Sequence, residues 1–277
     1  MNYTIYKIRG TNLSSGRSKK YEIKAVAEDV ALETGRERGL LEPFVEEVIP
    51  HDEPTERQLA YAADLGIEVA LGVKREDVSE LINIKLNNDE AAPQALIDFA
   101  TARKLCFSTY IGFAGLCRLI FYKLDGNDKA AFFVFRVYLH LSRDEVINLD
   151  ANSEQNFMYH IGESLLKNEK LYKSMLSYEG ENLTFFGERT VNYTLLNGGS
   201  QNTAAYKFVA KAVSNQYGTK KTRSDTIIDP AYDDDVNSDV SSIESPPPEL
   251  TQTQATVTGC LGLGVIAVTI YLISLLF

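Results

Sequence analysis

Few residues in this sequence have the types and spacing that catalysis or metal binding requires. The three histidines, His51, His140 and His160, are far apart, and none has a second ligand at the spacing of a zinc site. The aspartates at 233–235 have no EF-hand pattern around them, and the glycines at 198–199 lack the lysine of a phosphate loop. The sequence therefore predicts no catalytic residue, no metal ligand and no cofactor, and it favours a function other than catalysis.

The cysteines indicate a reducing compartment. Cys106, Cys117 and Cys260 are too few and too widely spaced for a disulfide framework. Cys106 and Cys117 lie in apolar segments with helical patterns, so we expect both to be small core residues in helices. Cys260 falls in the apolar C-terminal stretch described below.

Residues 55–86 carry the clearest pattern outside that stretch. Thr55 can cap a helix that ends at Gly66, an extended segment follows, and apolar residues then recur at helical spacing. This order of helix, extended loop and helix resembles SAP-type modules, which are small nucleic-acid-binding helical hairpins. The resemblance implies that Lys74 and Arg75 would contact nucleic-acid phosphates.

The charges of this segment argue against nucleic acid as a partner. Acidic residues outnumber basic ones between 55 and 86, whereas phosphate binding depends on an excess of cations on one surface. Two interpretations stay open. The hairpin either packs on its neighbours, or it binds nucleic acid through Lys74 and Arg75.

The first part of the chain predicts a small ββαβ unit over residues 1–50. Alternating polar and apolar residues at 3–9 and 20–26 indicate two strands. Residues 27–38 have acidic residues first and basic residues last, which suits a helix dipole. A third strand is expected at 44–49.

The helical hairpin, expected at residues 54–88, is followed by a mostly α-helical domain at 93–217. Within that domain, two strongly apolar segments at 110–124 and 129–141 flank a short polar turn. Such a pair indicates the central helices of a bundle. Residues 180–199 predict either a long loop or a small hairpin. Taken together, the patterns predict an α+β fold.

The C-terminal part of the sequence predicts a membrane anchor on a linker. Residues 218–256 are acidic and rich in Ser and Pro, so they cannot bury enough apolar surface to fold alone and predict a disordered linker. No charged residue follows Glu249, and residues 257–277 are strongly apolar. As a helix, residues 259–277 would span about 28 Å, close to the thickness of a bilayer's hydrocarbon core.

One face of the expected transmembrane helix carries mostly small residues. At spacings of three and four, this face contains Cys260, Gly264, Ala267, Tyr271 and Ser274. Small residues let helices approach closely in lipid, so the face predicts self-association or packing against a partner helix. The other interpretation is that Gly and Ser are simply common in such helices.

A chain whose last segment is its anchor resembles tail-anchored proteins in topology. The first residues show no secretory signal pattern. We therefore expect a single-pass membrane protein with its N-terminal domain in the cytoplasm. The predicted function is that of a non-enzymatic, membrane-anchored interaction or adaptor protein whose partners are the lipid bilayer and a protein at the membrane. The alternative is a membrane-tethered nucleic-acid-binding protein that acts through residues 55–86.

Overall fold

The computed structural model describes residues 1–142, 146–191 and 194–217 of the chain. These residues form helices together with two small antiparallel sheets, which confirms the predicted α+β class. The expected linker at 218–256 and the expected span at 257–277, with its packing face, lie outside the described residues. Within the described ranges, no helix is both long enough and apolar enough to cross a bilayer.

The N-terminal residues form a three-stranded antiparallel sheet with one helix packed on it. The elements are β1 (Thr4–Asn12), β2 (Ser18–Ala25), α1 (Glu28–Glu37) and β3 (Leu40–Ile49), with β1 in the centre. Because side chains alternate across a strand, one face of the sheet is apolar and packs on α1. Gly39, at a φ of 83°, lets the chain leave α1 and enter β3 at once. β3 therefore begins earlier than the sequence pattern predicts.

The helical hairpin consists of α2 (Glu56–Asp64) and α3 (Arg75–Asn87), with an irregular loop between them. Thr55 and Gln58 form a reciprocal cap at the start of α2, in which each backbone N–H donates to the other side chain. A small apolar cluster holds the two helices together. It contains Ala62, Val73, Val78 and Ile82.

The rest of the described chain is mostly helical. In order, its elements are α4 (Gln94–Ala102), α5 (Phe113–Lys123), α6 (Gly126–Ser142), α7 (Gln155–Leu166), α8 (Glu169–Leu176), β4 (Glu188–Val191), β5 (Thr194–Asn197) and α9 (Ala204–Tyr217). β4 and β5 pair as an antiparallel hairpin, so the hairpin interpretation of residues 180–199 is confirmed.

Helix α6 is the centre of this part, since every residue from 130 to 137 is buried. The polar turn expected before α6 is shorter than predicted, because the helix already begins at Gly126. Cys117 is buried in α5, as expected. Cys106 is only half-buried and lies in the irregular segment between α4 and α5, so its predicted helical position is wrong.

Three polar contacts connect the residue before β1 and the hairpin to the helical part, and one of them is buried. The Asn2 side chain donates to the Leu105 carbonyl at 2.9 Å and accepts from the Phe107 amide at 2.8 Å. The Ser108 hydroxyl donates to the buried Asp77 carboxylate at 2.5 Å. These bonds fix α3 beside the start of α5, and that arrangement forms one wall of the site described next.

Candidate functional site

A groove lies between α3, the start of α5 and the β4–β5 hairpin. Its volume is about 470 Å³, within the range of about 300–1,000 Å³ that is usual for ligand sites. We call it the polar groove because most of its lining residues are polar or charged, five of them with amide side chains. Those amides belong to Asn83, Asn87, Asn88, Asn182 and Asn197.

Asp89 builds the floor of the polar groove by capping α5. Its carboxylate accepts from the Ala114 amide at 3.0 Å and from the Gly115 amide at 3.4 Å. A negative charge at a helix N-terminus is stabilising because the free N–H groups there carry partial positive charge. Gly112 has no side chain, and a Cβ at this position would overlap the Asp89 carboxylate. Asp89 is therefore already bound within the fold.

Glu80 of α3 also lines the polar groove and is partly buried. Burial raises the pKa of the Glu80 carboxyl above its usual value, although a hydrogen bond with Asn83 and the charge of Arg118 act in the opposite direction. A carboxyl group can hydrogen-bond directly to a ligand. Perturbed groups of this kind cluster at functional sites.

A second depression of about 430 Å³ adjoins the polar groove. Arg118 and Glu181 line both, and their side chains form an ion pair at 3.1 Å. We call the second space the apolar depression because its other walls are mainly Phe121, Tyr122, Leu176 and Tyr178. The Tyr122 side chain is 82% exposed there. We refer to the polar groove and the adjoining apolar depression together as the trough.

A buried arginine supports the wall of the polar groove from behind. Arg136 of α6 donates to the carbonyls of Leu183 and Thr184, both at 2.8 Å, and its guanidinium lies over the Phe113 ring. Burial lowers the pKa of Arg136, and no salt bridge joins it to a carboxylate in the described part of the chain. Gly180 packs directly against α5, since a Cβ there would lie 2.7 Å from the Arg118 Cα. These contacts fix the turn that carries Asn182.

Lys74 and Arg75, the predicted nucleic-acid contacts, lie outside the trough at the start of α3. The Lys74 ammonium is paired with Glu53, and the Arg75 guanidinium is 2.8 Å from the Asp52 carboxylate. Each cation thus already has an acidic partner. The five residues of the expected transmembrane packing face lie outside the described residues.

Two of the three histidines, His51 and His140, pack against aromatic rings. The His51 ring is 3.0 Å from the Tyr3 carbonyl and meets the Tyr3 ring edge-on, while His140 packs against Phe186 and Tyr206. Burial lowers the pKa of both His51 and His140. Across the described ranges, no group of three or more His, Cys, Asp or Glu side chains is arranged to hold a metal ion.

Sequence reasoning missed the trough. The lining of the polar groove comes from three separate stretches, 80–89, 112–118 and 181–197, and none of them carries a local motif. The polar cluster at the end of α3 gave the one usable signal, but it is typical of any solvated helix end. Comparison of the chain with protein-family models, with curated proteins and with solved structures found no match.

Proposed function

We propose that this chain is a non-enzymatic interaction protein, anchored in a membrane, whose partner binds in the trough. The observation that carries the proposal is the lining of the polar groove by five asparagine amides. A primary amide offers donors and an acceptor at once and does not titrate, so it suits recognition more than proton transfer.

The acidic groups of the groove support binding over catalysis. Glycosidase-type chemistry, for example, needs one carboxyl group that protonates the leaving group and a second that acts as a nucleophile or activates a water molecule. Here the Asp89 carboxylate caps α5, and the Glu181 carboxylate is paired with Arg118. Burial raises the pKa of the third carboxyl group, that of Glu80. A single such group can hold a ligand by a hydrogen bond.

The membrane part of the proposal rests on the sequence of residues 218–277. An apolar segment at 257–277 would anchor the chain, and the acidic segment before it would act as a flexible tether. About 35 flexible residues give an end-to-end distance on the order of 30–35 Å. Restriction to a surface raises the effective concentration of a binding domain toward partners on that surface. We also propose that the folded domain lies on the cytoplasmic side of the membrane and that its partner is a protein.

The anchor itself is a second place where a partner could bind. The face with Cys260, Gly264, Ala267, Tyr271 and Ser274 would let a second helix approach closely in lipid. Self-association of the chain, or packing against the partner's own membrane helix, would add to binding in the trough.

Nucleic-acid binding through residues 55–86 is the weaker proposal. A phosphate contact requires a cation that is free to release its counterions. Lys74 and Arg75 would first have to leave Glu53 and Asp52.

Proximity labelling in cells tests the proposed function. A biotin ligase is fused to the full chain, and the labelled proteins are compared with those of the Asn87→Trp variant. Asn87 lies on an exposed rim of the polar groove, so the indole fills the groove without entering the core. The matched control is Asn156→Trp on the exposed surface of α7. We expect a set of membrane-associated proteins that Asn87→Trp loses and Asn156→Trp keeps. Identical sets for all three chains would refute the proposal.

A further inference from the structure

We propose that the trough binds an extended peptide segment that carries an apolar side chain and, at a fixed distance from it, an acidic side chain. This inference rests on the proposed function and names the kind of partner. It follows from the shape of the trough, from its amide lining and from one arginine that has no ionic partner among the residues that the structure describes.

The shape favours an elongated ligand. The polar groove and the apolar depression are separate spaces that share only the Arg118–Glu181 pair among their walls. A compact small molecule would fill one of them. An extended peptide rises about 3.3 Å per residue, and its side chains point to alternate sides. Such a segment can cross the ion pair and place side chains in both spaces.

The amide lining matches a peptide backbone. Each peptide unit offers one N–H donor and one carbonyl acceptor, and a single asparagine amide can satisfy both. The Oδ1 atom of Asn182 is buried and has no hydrogen-bond partner in the described part of the chain. An unsatisfied buried acceptor costs about 1–3 kcal/mol, so a small rotation of this amide toward a ligand N–H would be favourable.

The apolar depression provides an anchor for one side chain. Tyr122 is 82% exposed and Leu176 is 43% exposed, and both lie beside the less exposed rings of Phe121 and Tyr178. Burial of an aromatic or aliphatic side chain between such groups is the usual origin of binding energy in peptide recognition.

Arg189 gives the trough its preference for an acidic residue. Its guanidinium lies 4.3 Å from the centre of the Phe185 ring, and it has no salt bridge in the described part of the chain. Both residues line the polar groove. A guanidinium over the face of an aromatic ring can still donate its N–H groups to a carboxylate. The buried Arg136 charge behind the same wall favours an anion there as well.

The charges of the trough fit a peptide better than they fit a nucleic acid or an anionic lipid surface. Nucleic acids and anionic lipid surfaces require a predominantly cationic face. The trough instead contains both cations, Arg118, Lys129 and Arg189, and acidic groups. A peptide, which itself carries isolated charges, fits this mixed lining.

Peptide selection on the full chain tests the inference. The full chain in detergent micelles is used to select from a displayed library of random peptides of about 12 residues, which are about 40 Å long when extended. Selected peptides are labelled with fluorescein, and their dissociation constants are measured by anisotropy. We expect the selected sequences to share one aromatic or aliphatic residue and one acidic residue at constant spacing.

Variants of the trough then locate the binding site. We expect Tyr122→Ala and Arg189→Ala each to weaken binding by about tenfold or more. Asn156→Ala, outside the trough, leaves the dissociation constant unchanged. In a charge exchange, replacing the acidic residue of the peptide by lysine weakens binding to the original chain, and Arg189→Glu restores it. Circular dichroism confirms that each variant is folded.

The possible results separate this inference from the proposed function. The inference is wrong if no peptide is selected, or if the selected peptides are insensitive to Tyr122 and Arg189. If proximity labelling nevertheless depends on Asn87, the partner binds through a folded surface or a non-peptide group, and the proposed function stands. If peptides bind in the trough but no labelled protein depends on Asn87, the proposed function fails while the peptide site remains.

Discussion

The Arg118 guanidinium and the Glu181 carboxylate, 3.1 Å apart, form the boundary between the polar groove and the apolar depression. Both side chains are largely exposed, so their pairing contributes at most about 1 kcal/mol to stability. A ligand can therefore separate them at little cost. The Arg118 and Glu181 side chains could then each pair with an opposite charge on the ligand. The boundary is therefore itself part of the recognition surface.

Replacing Gly112 by alanine should destabilise the protein by about 1–3 kcal/mol. The new methyl group would overlap the Asp89 carboxylate, which could move only by giving up its bonds to the start of α5. Urea unfolding measures the loss. Gly115→Ala is the control, since its Cβ would make an ordinary contact at 3.4 Å and alanine favours a helix. Equal stabilities for the two variants would show that Asp89 does not cap α5 in this way.

Glu80 should make stability fall as the pH rises above about 4.5. Burial raises the pKa of Glu80 in the folded protein, so the unfolded chain loses this proton first. Stability then declines from the unfolded pKa up to the folded pKa and is constant above it. We expect Glu80→Gln to remove this decline and to raise the unfolding free energy at neutral pH. An unchanged pH profile would contradict the buried position of the carboxyl group.

His140 should make stability fall as the pH drops below 6.5. Burial beside Phe186 and Tyr206 lowers its pKa in the folded protein, so the unfolded chain takes up a proton first as the pH falls below 6.5. The stability that the neutral ring provides is present above 6.5 and is lost between that pH and the folded pKa. His140→Gln should flatten the thermal stability profile over this range. The matched control is His160→Gln on the exposed surface of α7.

Much of the fold could be predicted from local patterns. The ββαβ order followed from alternation and from Gly39, and the cap at Thr55 followed from the sequence around it. The β4–β5 hairpin could not be separated from a loop because each strand has only four residues. In strands that short, too few polar and apolar residues alternate to distinguish a strand from a loop.

The site was beyond local prediction for a physical reason. Asn83 and Asn182 lie far apart in sequence. Both line the polar groove only because α3, α5 and the turn at 180–185 pack together. That packing depends on Arg136, whose buried charge bonds to carbonyls of the turn. Because Arg136 lies within a nearly continuous apolar helix, the sequence indicates that it is buried. The sequence does not indicate which carbonyl groups its guanidinium binds.

The full chain should not bind nucleic acid with a steep dependence on salt. Lys74 and Arg75 are already paired with carboxylates, so few counterions would be released on binding. Anisotropy with labelled duplex DNA and single-stranded RNA over a series of salt concentrations measures this. A steep salt slope that disappears in the double variant Lys74→Glu, Arg75→Glu would instead support the nucleic-acid proposal.

Site-specific photocrosslinking in living cells tests the central claim most directly. A photoreactive amino acid replaces Asn87 on the rim of the polar groove or, as the control, Asn156 on α7. If a membrane-bound partner binds in the trough, the probe at position 87 gives a discrete crosslinked protein, and the probe at position 156 does not. Deletion of residues 257–277 should strongly reduce that product. No crosslink at position 87, or one that is unaffected by the deletion, would contradict the account.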